Sequence, residues 1–332
     1  MQSQLPKIAF FTLGGTIASV PNADGRDAIP RLSGSDLFAS VPQVAELAEL
    51  VPTSFRRYPS GDLTITDILE LGELIEKKAV DGFDGVVVTQ GTDTLEETSF
   101  LLDLVLHTDI PVVLTGAMRN AGLPGADGPA NVLAAVRTAA SPLAHGLGPL
   151  VVFNDEIHLA RYVRKTHTSS TAAFRSPNAG PIGWVNEDRV HIPLVPRHKT
   201  EAVNLGADQA PLPRVALLKL GLDADADLLE SAVDLGYSGI IVEVFGGGHV
   251  PAKIVEALKR TAVNVPVIFA SRTGAGELYR TTYAFPGSER DLLASGLMSA
   301  GVFDGCKARL LLTLLIAAGA SRELIQQRFY SN

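Results

Sequence analysis

The chain has 332 residues, a formal net charge of −8, 46% apolar and 19% charged residues, and one cysteine. That length exceeds what one compact core usually holds and predicts two domains. No run of Lys or Arg exceeds two, which argues against nucleic acid and anionic membranes as main partners; no apolar stretch reaches 18 residues, which excludes a spanning helix; and the lone Cys306 excludes an internal disulfide.

The opening segment MQSQLPKIAFF carries one lysine and a short apolar run, so it reads as a first strand over 8–12 and not as a secretory leader. Leu13-Gly14-Gly15-Thr16-Ile17-Ala18 follows. Two glycines after a strand allow a sharp turn and close approach of a ligand to the backbone. Taken alone, the segment is equally an ordinary βα turn in which Thr16 bonds local backbone. It lacks the G-x-G-x-x-G spacing of a dinucleotide site and the G-K-S/T of a P-loop. Residues 19–32 contain Pro21, Asn22, Asp24, Gly25, Arg26 and Pro30, which suit an exposed loop with no regular element and a lid function. Ser35 is expected to cap a helix over 36–50, and Thr66 one over 67–80. Between them, Tyr58-Pro59-Ser60-Gly61-Asp62 reads as a turn after a strand.

Residues 83–89 predict a buried strand. Gln90-Gly91-Thr92-Asp93-Thr94-Leu95-Glu96-Glu97 joins it to a helix over 96–106, opened by Thr94 with Glu97 three residues on. Free backbone N–H groups at such a helix start favour a carboxylate or a developing oxyanion; an aspartate there is also an ordinary cap. Further strands are expected at 112–115 and 150–153. Residues 156–195 break the rhythm and predict irregular structure and hairpins, with an alternating stretch at 189–194. Lys165, between Arg164 and Thr166, reads by pattern as a solvated charge. Residues 196–213 read as a linker, carrying Asn204, Gly206, Pro211 and Pro213. Strands at 215–218, 239–244 and 265–270 then alternate with helices at 225–235 and 252–262. A helix over 307–318 and a short turn from Arg322 close the chain. Glu289 reads as a surface acid in a loop, and Cys306 as a buried small residue.

Apolar strands separated by helices indicate parallel sheets covered on both faces. The fold class is therefore α/β in two domains, each a mostly parallel sheet flanked by helices. The larger N-terminal, catalytic domain is placed at 1–195, the linker at 196–213 and the C-terminal domain at 214–332. In open parallel sheets ligands sit beyond the carboxyl ends of the strands. Thr16, Ser60, Thr92, Asp93 and Ala117 all follow strand candidates, so one shared site is expected. A threonine hydroxyl is a weak nucleophile until a base or cation activates it, which a Thr–Lys–Asp group can do.

The two glycine-punctuated segments, about 75 residues apart and in this order, resemble the signatures T-G-G-T-(I/V)-(A/G/S) and (H/Q)-G-T-D-T of the bacterial-type L-asparaginases. These enzymes hydrolyse the side-chain amide of asparagine and often of glutamine. The resemblance continues through Gly116-Ala117-Met118-Arg119, Ala126-Asp127-Gly128-Pro129 and Val163-Arg164-Lys165-Thr166. It implies that Thr16 attacks the amide, forming an acyl-enzyme and releasing ammonia. Thr92, Asp93 and Lys165 would then handle the proton and the attacking water, with the two threonines open to exchanging roles. It implies that Ser60 holds the substrate α-carboxylate, Asp93 the α-ammonium and the Ala117 carbonyl the amide nitrogen, with Gly61 also binding substrate. It also implies that a neighbouring subunit donates Glu289, hence a homo-oligomer, dimer or tetramer.

No metal and no cofactor are expected, because amide hydrolysis requires proton transfer, an oxyanion site and placement. The expected partner is a small amino-acid amide, and the expected compartment the cytoplasm. The pattern departs at Leu13, where the family has Thr; in 19–32, which lacks the tyrosine of many family lids; and at His249, where family members carry Asn. Two other readings stay open. One is an ammonia-supplying subunit of a tRNA-dependent amidotransferase, although the first signature starts near residue 12 and leaves no room for such a subunit's added N-terminal domain. The other is a non-catalytic amino-acid sensor on the same fold.

Overall fold

The computed structural model describes residues 5–15, 41–197, 199–206 and 211–330, with the backbone course of 19–21 and 28–30. It divides into two compact units, Met1–Ala202 and Val203–Asn332.

In the first unit the elements run β1 (Lys7–Thr12), β2 (Ser19–Pro21), β3 (Ala28–Pro30), β4 (Glu49–Ser54), α1 (Ile65–Val80), β5 (Gly85–Thr89) and α2 (Leu95–Val105). Then follow β6 (Val112–Thr115), α3 (Gly128–Ala139), β7 (Pro149–Phe153), β8 (Glu156–Leu159), β9 (Arg164–Lys165), β10 (Phe174–Arg175), β11 (Gly183–Asn186) and β12 (Arg189–His191). Among the described residues an eight-stranded sheet has the order β12-β11-β8-β7-β6-β5-β1-β4. The five strands from β4 to β7 are parallel, and β8, β11 and β12 extend the β7 edge antiparallel.

Its central strands are buried on both faces, which is why they read as unbroken apolar runs. Ile8, Phe10, Val87, Val113 and Leu150 share a core with Val132, Ala135, Val136 and Ala139 of α3. The alternate residues Phe11, Val86, Val88 and Leu114 are as completely buried on the other face. The strand order reverses at β1: the chain goes to β4 on one side, then crosses through α1 to β5 on the other. Such a reversal opens a crevice at the carboxyl ends of the two strands.

The second unit runs β13 (Val215–Lys219), α4 (Asp227–Asp234), β14 (Gly239–Val244), α5 (Val255–Asn264), β15 (Val267–Ser271), α6 (Glu289–Ala294), β16 (Met298–Ser299), α7 (Gly305–Ala317) and α8 (Arg322–Tyr330). Its four strands are parallel in the order β13-β14-β15-β16, and α7 packs across the first three.

Several expected elements need correction. No helix fills 41–50: a 3-10 turn, Pro42–Glu46, leads into β4, and 36–40 lie outside the described residues. The helical spacing of Val44, Leu47 and Ala48 loses to the sheet because Pro52 stops a helix but is tolerated in an edge strand. The cap of α1 is Thr64, not Thr66. Its hydroxyl accepts from Asp67 N at 3.1 Å while Asp67 Oδ2 accepts from Thr64 N at 2.9 Å, a reciprocal capping box.

Within 19–32 the described residues do form regular structure: β2 and β3 pair antiparallel, with β-branched Val20 opposite Ile29. The final turn is the nine-residue helix α8. Cys306 is only partly buried, and it is the neighbouring Lys307 that is buried, 2% exposed.

Candidate active site

The first site segment, Leu13-Gly14-Gly15, leaves the carboxyl end of β1, with the Leu13 N–H donating to Thr89 O at 2.9 Å. Gly15 has φ +87°, and a Cβ there would lie 2.2 Å from Gly91 N. Only glycine can make this left-handed turn against the neighbouring backbone. Gly91 is constrained in turn: a Cβ would meet Ser60 Oγ at 2.8 Å. The segments after β1, β4 and β5 thus lock together through missing side chains. Thr16, the next residue, lies outside the described residues, as do 22–27 and 31–32 of the lid expected over 19–32.

Ser60 is buried and follows β4, as expected from its place after a strand. Its Oγ accepts from Asp93 N at 3.2 Å, which leaves its own hydroxyl proton to donate. Its carbonyl accepts from Thr94 Oγ1 at 2.8 Å, and Thr94 accepts from Gln90 Nε2 at 2.9 Å. Thr94 therefore ties the Ser60 turn to α2 instead of capping the helix with its side chain. Gly61 is exposed, with open space where its side chain would be.

Thr92 and Asp93 stand at the amino end of α2, where backbone N–H groups lack helical partners. Lys165 reaches them from β9, 73 residues later in sequence: its Nζ donates to Thr92 Oγ1 at 2.8 Å and to Asp93 Oδ1 at 2.7 Å. The lysine side chain is 15% exposed and the aspartate 77%. Lys165 is therefore a largely buried partner of two predicted residues and not a solvated charge. Ala117 follows β6 and is buried. Its loop is pinned by Asp127, which accepts from Met118 N at 2.9 Å and Arg119 N at 2.8 Å, and by Asn131, which donates to Gly116 O at 3.0 Å.

Glu289 belongs to the second unit and is not a surface acid. It opens α6 with no exposed surface. Oε1 accepts from Thr282 N at 2.7 Å and Tyr283 N at 2.6 Å. Oε2 lies 3.3 Å from His249 Nε2, too poorly aligned for a hydrogen bond. Burial alone would raise its pKa; the backbone donors and His249 outweigh that and hold it below the usual carboxylate range. The His249 ring meets Tyr283 and Phe285 edge-on, each at 5.1 Å between centroids.

A family model described as "Asparaginase, N-terminal" matches residues 7–197, and one described as "Glutaminase/Asparaginase C-terminal domain" matches 214–329. The chain belongs to the asparaginase family. It is 38% identical to an L-asparaginase of Bacillus licheniformis over 97% of this chain and 98% of that protein. It is 36% identical to a protein of Deinococcus radiodurans named "Probable L-asparaginase", over 99% and 98% of the two chains. A crystal structure named "Probable Cytoplasmic L-asparaginase from Campylobacter jejuni" superimposes with a TM-score of 0.87 at 30% identity, covering 98% of this chain and 99% of that one.

In this asparaginase-family chain, three supporting residues receive no role from the sequence, although Glu96 and Asp127 lie in segments that carry the resemblance. Glu96 Oε2 accepts from the Lys165 backbone N–H at 2.8 Å, although the two are 69 residues apart. Asp127 and Asn131 hold the 116–119 loop through backbone bonds that no side-chain pattern announces. Among the described residues, no His, Cys, Asp and Glu group is arranged to hold a metal ion.

Proposed function

We propose that this chain hydrolyses the side-chain amide of L-asparagine to L-aspartate and ammonia through an acyl-enzyme on Thr16. The observation that carries the reading is Lys165 Nζ, held at 2.8 Å from Thr92 Oγ1 and 2.7 Å from Asp93 Oδ1 beside the Gly14–Gly15 turn. An amine in contact with a hydroxyl can take its proton as that hydroxyl activates a water, and can return it to a leaving group. Thr16 gives up its hydroxyl proton as its Oγ bonds the amide carbon, the C–N bond breaks, and the leaving nitrogen takes that proton and departs as ammonia. Water, activated through Thr92 and Lys165, then cleaves the ester, and aspartate departs with Thr16 restored.

The remaining roles are those the family resemblance implies, and the bonding capacity left on these residues supports them. Ser60 keeps a donor for the α-carboxylate, and Gly61 an open backbone for the substrate. Asp93 keeps its second oxygen and most of its surface for the α-ammonium. The Ala117 carbonyl, on a loop fixed by Asp127 and Asn131, accepts from the amide nitrogen. Support comes from the end-to-end match to proteins named L-asparaginases.

The working form is read as a cytoplasmic homo-oligomer, with Glu289 of one copy serving the substrate of another and with 196–213 joining the two domains. No helix among the described residues is long and apolar enough to cross a membrane. The test is ammonia release from L-asparagine, L-glutamine, D-asparagine and succinamic acid. L-asparagine should be turned over, and a folded Thr16→Ala variant should lose about 10²-fold or more. Near-normal release by that variant would sink the assignment.

A further inference from the structure

We propose that Glu96 is a positioning residue: it fixes the backbone at Lys165 and thereby sets the distance from Lys165 Nζ to the Thr92 hydroxyl. The inference rests on the amidase reading of Thr92 and Lys165 and assigns how that pair is held. Lys165 lies on β9, whose partner β10 is also only two residues long, and neither joins the large sheet. A ribbon this short is marginal by itself. Yet a catalytic contact must hold its geometry within about 0.5 Å.

Successive N–H groups of a strand turn to opposite sides. The Thr166 N–H donates to Ala173 O across the ribbon at 2.8 Å, and the Lys165 N–H turns to Glu96 Oε2 at 2.8 Å. Glu96 is four residues after Thr92, in the first turn of α2. Residues 92–96 therefore grip Lys165 twice: Glu96 holds its backbone, while Thr92 and Asp93 hold its amine. A chain of contacts closes on itself, so a shift of the Lys165 backbone away from Glu96 moves the root of the side chain that carries the amine.

The experiment compares Glu96→Asp, which keeps the charge but shortens the reach, with Glu96→Gln, which keeps the reach. Two readouts are ammonia release from L-asparagine and amide hydrogen exchange at Lys165. Glu96→Asp should lower kcat about 10–10²-fold, the scale of a 1 Å misplacement, with KM within about threefold of wild type; Glu96→Gln should retain most activity. Exchange at the Lys165 amide should accelerate in Glu96→Asp. In a Lys165→Met background, Glu96→Asp should lower turnover no further, because its effect runs through the amine.

Glu96→Asp turnover within twofold of wild type, an equal loss in the Lys165→Met background, or unchanged exchange would each overturn the proposal. A wild-type chain inactive on every amide would sink the amidase reading instead, and the exchange comparison would still decide whether Glu96 fixes Lys165.

Discussion

Lys165 with Asp93 in the first unit and His249 with Glu289 in the second are both base–carboxylate pairs, at 2.7 and 3.3 Å. They differ in what is left over. Asp93 gives one oxygen to lysine and keeps a side chain 77% exposed, whereas Glu289 has no exposed surface and its Oε1 is already bonded to two backbone N–H groups. Charge and proximity are thus alike in the two pairs, and what separates them is the bonding capacity each carboxylate keeps. In the isolated chain Glu289 therefore offers no free surface to a ligand.

The largest expected effect breaks the open pair. Lys165→Met and Thr92→Val should each lower kcat/KM for asparagine by about 10²–10⁴-fold, the range for losing a general acid–base group. The double variant should be barely worse, since groups acting as a unit are not additive. Ammonia release measured on all three proteins decides it, and losses that multiply would separate the two residues.

His158 carries the comparison to a sealed group inside the first unit. It has no exposed surface, and burial, with Arg175 adding to it, pushes its pKa down from 6.5 to about 4. The unfolded chain therefore binds a proton near pH 6.5 that the folded chain refuses until about pH 4. Stability from this group is complete above pH 6.5 and falls as pH drops towards 4, by up to about 3 kcal/mol. His158→Asn keeps a partner for Ser176 Oγ, which lies 3.0 Å from Nδ1, but cannot titrate. Urea midpoints taken from pH 7 to pH 4 should show a flatter profile in the variant, and an equally steep one would show that His158 is not the group responsible.

The smallest effect sharpens the contrast at Glu289. If the sealed pair opens in the assembled enzyme, Glu289→Ala should raise KM for asparagine about tenfold or more, the scale of one hydrogen bond to a charge. It should matter much less for succinamic acid, which lacks the ammonium. Mixing Glu289→Ala with Thr16→Ala chains should then restore some activity. A lower melting temperature with both KM values unchanged would show that Glu289 is sealed for good.

The parallel strands were legible in the sequence because burial on both faces leaves unbroken runs such as Val86, Val87 and Val88. The glycine turns were legible because close backbone approach admits no other residue. Of the helix expected over 36–50, the described part, 41–50, is not helical: Val44, Leu47 and Ala48 fit a helical period, but the strand that follows is decided by pairing with β1. Thr64 was missed as the cap because Thr66 offers the same chemistry two residues later, and only Asp67 distinguishes them. Lys165 was visible through its family segment alone. Its neighbours in sequence say surface, and the groups that bury it come from 69 and more residues away. Glu289 read as exposed because its burial depends on Thr282 and Tyr283 turning their N–H groups inward.

Pro52 in β4 has a consequence for how copies of the chain meet. A sheet edge normally presents a row of unpaired donors and acceptors that can template another molecule's strand. In the large sheet one end strand, β4, carries a proline, and the other, β12, is three residues long and begins with Arg189. Neither end offers the long, flat, donor-complete ribbon that strand addition requires. Strand addition at either end of the large sheet is thus disfavoured, and copies of the chain that meet there do so through side chains and not through shared backbone bonds.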